Sequence, residues 1–184
     1  MTIRICVFCG SARGSRPDYT DAAVQTGRLI AQRGLGLVYG GGNVGLMGAV
    51  ADAALAEGGE VIGVIPEDML EKELAHPNAS SMHVVKDMLQ RKERMAGLSD
   101  AFITLPGGTG TLDELFEMLT WSQLGYQTKP CGLLNTARYY DPLLAVFDNA
   151  VTEGFLKPKY RDLLRVADTP EALMEDLSTF LPQE

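Results

Sequence analysis

Short apolar runs alternate with helix-length segments along the whole chain, and this alternation restricts the fold more than any other feature. Ile3–Cys9, Leu35–Tyr39, Val61–Ile65, Met82–Val85, Ala101–Leu105, Cys131–Leu134 and Leu164–Val166 read as strands. Val61–Ile65 is apolar almost throughout, as in a strand covered on both faces. Between them, helices are expected over about Asp18–Arg33, Leu46–Glu57, Met88–Ser99, Leu112–Leu124 and Tyr140–Glu153. A last helix starts at Thr169-Pro170, where threonine can cap and proline fits the first turn. Residues 66–82 form a long polar connection with a short helix expected near Glu67–Glu73. Strand–helix alternation implies an α/β fold, a doubly wound, mostly parallel sheet with helices on both faces. No repeat, low-complexity tract or linker interrupts the pattern, so residues 1–184 are expected to form a single domain. In such folds ligands bind beyond the carboxyl ends of strands, so the loops that follow strands carry the functional information.

The charge balance narrows the partners. A formal net charge of -8 repels nucleic-acid backbones and anionic membrane surfaces, so neither is an expected partner. An anionic ligand then needs a local positive pocket. No apolar run approaches the ~20 residues of a membrane span. The start, MTIRICVFCG, enters a strand directly and lacks a signal peptide's apolar region and cleavage site, which points to the cytoplasm. Cys6, Cys9 and Cys131 are an odd set that argues against a disulfide framework. Cys6 and Cys9 form a C-x-x-C, but on a strand positions i and i+3 face opposite sides. They read as buried strand cysteines rather than a redox pair, and Cys131, His76 and His83 are too scattered to complete a zinc site. His76 and His83 read as surface or loop histidines with no catalytic role.

Two glycine-rich loops each follow a strand and open a helix: Gly40 to Gly48 (GGGNVGLMG) and Pro106 to Glu114 (PGGTGTLDE). Glycine lets backbone approach a ligand closely, and a helix N-terminus supplies free N–H groups and partial positive charge. Thr109 and Thr111 add hydroxyls. The second loop therefore reads as a phosphate or carboxylate site. Gly41, Gly42 and Asn43 of the first loop are candidates for phosphate or ribose contact. Gly40-x-Gly42-x-x-Gly45, with Glu67 further on, also matches a dinucleotide fingerprint, which keeps an NAD-dependent oxidoreductase as a rival. That match follows the second strand instead of the first and leaves the PGGTGT loop without a task. Neither loop ends in Gly-Lys-Ser/Thr and no G-x-S-x-G occurs, so Walker-type ATP hydrolysis and a nucleophile elbow lack support.

Charged residues accompany the loops. In MLQRKERMAGLS, Arg91, Arg94 and Met95 share a helix face, and Arg91 and Lys92 lie near the helix start, where cations work against the dipole. Glu114, with Asp113 beside it, falls in the first turn of the helix after PGGTGT, where a carboxylate is favoured electrostatically. A carboxylate there also lies beside any sugar phosphate held by the loop. It is suited to stabilise an oxocarbenium-like transition state or to orient water, as in glycosidases. Substitutions at Arg91, Asp113 and Glu114 are expected to leave thermal melts unchanged, since all three read as surface or cleft positions.

VFCGSARG, YGGGNVGLMG, MLQRKERM, ITLPGGTGTLDELFEMLTWSQLG and KPCGLLN together resemble the LOG (Lonely Guy) proteins, cytokinin riboside 5'-monophosphate phosphoribohydrolases, over nearly the whole chain. The resemblance implies a Rossmann-like fold and hydrolysis of the N-glycosidic bond of AMP or a prenylated AMP. The products are the free base and ribose 5-phosphate. It places the catalytic pair on Arg91 and Glu114, and substrate contacts on Glu73, Lys92, the run Gly108, Thr109, Gly110, Thr111, Leu112, Asp113 and Glu114, and Thr120. It implies a homodimer, and neither a metal nor a cofactor is required. The label lysine decarboxylase, often given to such proteins, calls for a Schiff-base lysine, and no residue pattern here argues for one. A nucleotide or cofactor carrier of the same architecture, like the molybdenum cofactor carriers, is the alternative. The pairing of Arg91 with Glu114 favours an enzyme, because a mere binder has less need of a carboxylate near an anion.

Overall fold

A computed structural model describes residues 2–70 and 74–181. Seven strands form one wholly parallel sheet: β1 (Arg4–Phe8), β2 (Gly36–Tyr39), β3 (Val61–Pro66), β4 (Ser81–Val85), β5 (Ala101–Thr104), β6 (Cys131–Leu134) and β7 (Leu164–Ala167). Their order is β4-β3-β2-β1-β5-β6-β7. The chain winds outward from β1 through β2 and β3 to β4, then returns to place β5 on the other flank of β1. The switch point of this Rossmann-like sheet therefore lies between β1 and β5. β1, β2, β3, β5 and β6 are buried over nearly their full length, which accounts for their continuous apolar sequences.

Helices α1 (Pro17–Gln32), α2 (Gly45–Ala56), α3 (Met88–Leu98), α4 (Thr109–Leu124), α5 (Asp141–Thr152), α6 (Pro158–Arg161) and α7 (Pro170–Ser178) complete the fold. One core, with Ile5, Val7, Ile30, Leu37, Val50 and Leu173 at its centre, joins the sheet to α1, α2 and α7. A second, with Phe8, Val38, Met95, Phe102, Leu115 and Met118, joins the opposite face to α3 and α4. Cys9 belongs to the first core and Cys6 to the second, as strand alternation requires. Burial, reinforced by the Glu114 carboxylate, pushes the Cys6 thiol well above its ordinary value.

The sequence-derived elements match within a few residues, apart from an unexpected 3-10 turn over Thr136–Arg138 and the following differences. The connection after β3 holds a single 3-10 turn, Glu67–Met69, and residues 71–73 lie outside the described residues. The four-residue α6 was not expected. Most relevant to function, α4 begins at Thr109 and not at Leu112, because Gly108 takes the extended N-cap position and the threonine–glycine run is itself helical. Among the described residues no helix is long and apolar enough to cross a membrane.

Candidate active site

Beyond the carboxyl ends of β1 and β5, at the switch point, lies a cavity of about 200 Å3. The start of α4 forms one wall with Gly108, Thr109, Gly110, Thr111 and Glu114. Arg91 and Met88 of α3 contribute another side, and Cys9, Gly10 and Ser11 after β1 line the floor with Gly40.

The first intrahelical bond of α4 runs from Leu112 N–H to Gly108 C=O at 3.1 Å. The N–H groups of Gly108, Thr109, Gly110 and Thr111 thus precede the helical ladder, and among the described residues no side chain caps them. All four residues line the cavity, so an uncapped helix terminus with its partial positive charge opens onto it. Glycine at 107 is required by close approach: a Cβ there would collide with the Thr111 side chain and the Gly10 amide.

Glu114 sits one turn deeper than the sequence suggested. Because α4 starts at Thr109, no acid lies in its first turn, and stabilisation of the helix dipole does not explain this carboxylate. Glu114 is 9% exposed and faces the cavity on the same helix side as Thr111, three residues earlier. Helical side chains lean toward the N-terminus, which brings the carboxylate toward the free N–H groups. A carboxylate buried in a cavity wall is uncommon, and such an arrangement marks function more often than stability.

Arg91 is also buried, 4% exposed, so of its reading as a surface or cleft residue the cleft position holds and the surface one does not. The α3 start is fixed by Asp87, whose side chain accepts from Gln90 N–H at 2.9 Å. From the next position the Arg91 guanidinium reaches β3 and the loop after β2, donating from Nε to Val64 O at 3.1 Å and from Nη2 to Gly40 O at 2.7 Å. A Cβ at Gly40 would strike that guanidinium, so glycine at 40 makes room for the clamp. Arg94, expected on the same face, is exposed and stands 3.4 Å from His83 Nδ1.

Other expected contacts do not gather at the cavity. Lys92 pairs with Asp113 at 3.0 Å and with Glu117 at 2.7 Å, outside the lining. Burial opposes its charge, but the two carboxylates prevail and raise it above the ordinary lysine value. Asp113 points out to that pair and Leu112 is half-buried beside it. Thr120 is exposed on the far side of α4, in line with Phe116 and Leu124. Glu73 lies outside the described residues.

The first glycine loop is occupied by protein. Gly42 pairs with Ala75, Asn43 N–H donates to Leu74 O at 2.9 Å, and His76 N–H donates to Gly41 O at 2.9 Å. Gly41, Gly42 and Asn43 therefore hold the 74–76 segment and do not line the cavity, whereas Gly40 and Met47 of the same loop do. His76 lies in the loop, as read, but is 5% exposed, so its surface alternative is corrected. Its Nδ1 accepts from Asn78 N–H, which leaves Nε2–H to donate to Asp52 at 3.1 Å, and the ring pins the loop over the glycines.

Sequence reasoning missed Cys9, Gly10, Ser11, Met47 and Met88 as lining residues. For Gly10 and Ser11 a signal existed: they follow the first strand, which a switch point commonly borders. The methionines carry no such signal. Among the described residues no lysine lines the cavity.

Comparison with known proteins fits this geometry. A family profile described as "Possible lysine decarboxylase" matches residues 47–177. The probable cytokinin riboside 5'-monophosphate phosphoribohydrolase LOGL2 of Oryza sativa subsp. japonica is 49% identical over 180 residues, covering 98% of this chain and 74% of that protein. The cytokinin riboside 5'-monophosphate phosphoribohydrolase LOG3 of Arabidopsis thaliana is 49% identical over 179 residues, 97% of this chain and 83% of that one. Among solved structures, a molybdenum cofactor binding protein from Rippkaea orientalis superposes with a TM-score of 0.74 at 26% identity, covering 97% of each chain. The molybdenum cofactor carrier protein of Chlamydomonas reinhardtii gives 0.74 at 21% identity, over 98% of each chain, a likeness of fold alone. The extent and level of the sequence matches, on a fold and cavity of the expected kind, place this chain in the LOG family of cytokinin riboside 5'-monophosphate phosphoribohydrolases.

Proposed function

We propose that the chain hydrolyses the N-glycosidic bond of a purine nucleoside 5'-monophosphate, AMP or a cytokinin riboside 5'-monophosphate, giving free base and ribose 5-phosphate. One observation carries the reading. The uncapped start of α4 and the Glu114 carboxylate share one wall of one cavity, with Glu114 about 4.5 Å along the helix axis from Thr111 at ~1.5 Å per residue. The 5'-phosphate belongs at the N–H groups of Gly108 to Thr111 and the ribose beside Glu114. The water oxygen bonds to C1', the C1'–N bond breaks with its electron pair leaving on the purine, and the water's proton ends on the base. Glu114 stabilises the positive charge that develops on the ribose and orients the water. A guanidinium is a poor general acid, and Arg91, held rigidly, is instead a preorganised positive charge for the departing purine or the phosphate.

The exposed line Phe116, Thr120 and Leu124 on α4, with Val146 of α5 exposed nearby, suits a homodimer contact. Thr120 then meets a substrate in the partner's cavity and not in its own. Purified protein incubated with AMP or isopentenyl-AMP, without added metal or cofactor, is expected to release free base and ribose 5-phosphate. Nucleotide that binds stoichiometrically and is recovered intact supports the carrier alternative instead.

A further inference from the structure

The Leu105–Pro106–Gly107 segment that leads into α4 has all three of its carbonyls tied to the scaffold. Leu105 O accepts from the Tyr140 hydroxyl at 2.7 Å, Pro106 O accepts from Gly10 N–H at 3.1 Å, and Gly107 O accepts from the Tyr139 hydroxyl at 2.6 Å. In a planar trans peptide the N–H points opposite to the C=O of the same unit. Fixing the Gly107 carbonyl therefore fixes the direction of Gly108 N–H. Tyr139 and Gly107, with Arg13 and Tyr19, line a hollow of about 250 Å3 that adjoins the catalytic cavity and shares Gly10, Ser11 and Gly108 with it. Gly107 and Tyr139 line only the hollow, and Thr109 to Thr111 only the cavity, so the Gly107–Gly108 peptide spans the boundary; with its C=O tied on the hollow's side, its N–H is turned to the cavity's side.

The two tyrosines are delivered by a turn with few alternatives. Ala137 and Arg138, just before them, have φ of 53° and 61°, a region that residues with a Cβ seldom adopt. The surrounding contacts hold it: Asn135 accepts from Tyr140 N–H at 2.7 Å and donates to Asp141 at 2.9 Å, and Arg138 Nε donates to Asp141 at 2.6 Å. The Tyr139 ring is packed edge-on between Tyr19 and Tyr140. Strain kept by such a network, with its product being two hydroxyls placed on adjacent loop carbonyls, is a reason to look for a task.

We infer that Tyr139 is a positioning residue, whose hydroxyl, through the Gly107–Gly108 peptide, aims Gly108 N–H at the phosphate of the bound nucleotide. The inference rests on the proposed phosphoribohydrolase reading of the cavity. Tyr139 is 40% exposed, so phenylalanine is accommodated and removes only the hydroxyl. Tyr140, at 2% exposure, is the structural comparison: Tyr140→Phe strands a buried carbonyl and lowers the melting temperature.

Ribose 5-phosphate and adenine are titrated calorimetrically onto parent and Tyr139→Phe protein, alongside AMP turnover. Tyr139→Phe is expected to weaken ribose 5-phosphate and raise KM for AMP by about tenfold, the effect of one misdirected hydrogen bond to a charged group. Adenine affinity and the melting temperature stay at parent values. An unchanged ribose 5-phosphate affinity, or an equal loss for adenine, overturns the inference while leaving the cavity's function intact. A parent that neither cleaves AMP nor binds ribose 5-phosphate overturns the reading of the cavity and this inference with it.

Discussion

Replacing Arg91 with alanine is expected to damage the fold as well as the chemistry. The guanidinium is buried and donates to two main-chain carbonyls, Val64 O at 3.1 Å and Gly40 O at 2.7 Å. Hydrogen bonds from a charged donor contribute roughly 1.5–3 kcal/mol each, and removing the donor strands buried acceptors. Two such bonds amount to about 3 kcal/mol at the lower end of that range. In a chain of this size about 1 kcal/mol moves Tm by roughly 2–4 °C, so the variant should melt about 6–12 °C below the parent. Arg91→Lys keeps the charge but not the planar fork, and should fall between the two. Thermal melts followed by circular dichroism at one protein concentration read the effect. A Tm for Arg91→Ala within about 2 °C of the parent contradicts the clamp, since even one lost bond exceeds that shift. Turnover lost by this variant must accordingly be counted per folded molecule.

The carboxylate pair separates chemistry from structure more cleanly. Glu114→Gln keeps shape and removes charge, and should lower turnover by about two orders of magnitude or more while ribose 5-phosphate still binds. Asp113→Asn touches only the pair with Lys92 and should retain near-parent turnover. The reverse pattern in steady-state assays refutes the choice of carboxylate. Light scattering at micromolar concentration should give twice the chain mass, and Phe116→Glu on the exposed α4 face should give a single chain mass. A parent at single-chain mass refutes the dimer.

The elements were legible in the sequence because buried parallel strands are nearly all apolar, and Val61–Ile65 or Ala101–Leu105 have few other readings. The strand order and the location of the cavity at the β1–β5 switch point needed the structure. So did the start of α4: Thr109-Gly110-Thr111 has poor intrinsic helix propensity, and tertiary position overrides it. That shift of three residues changes the meaning of Glu114 from a dipole partner to a cavity carboxylate. Burial of Arg91 was likewise hidden, because its partners are carbonyls 27 and 51 residues away, which no local spacing encodes. The GGGNVG loop misled by its glycines. They serve close backbone pairing with residues 74–76 and room for a guanidinium, two uses that a fingerprint does not distinguish from ligand contact.

In the proposed reaction α4 holds the phosphate so that Glu114 acts on the ribose of the same nucleotide. Its most direct test is the ratio of kcat/KM for AMP to that for adenosine, measured with one preparation of the parent protein. Two charge-assisted hydrogen bonds from loop N–H groups to phosphate, at about 1.5 kcal/mol each, predict a preference for AMP of at least about a hundredfold. Equal efficiencies on the two substrates would contradict the account, since the phosphate would then contribute nothing to placing the scissile bond.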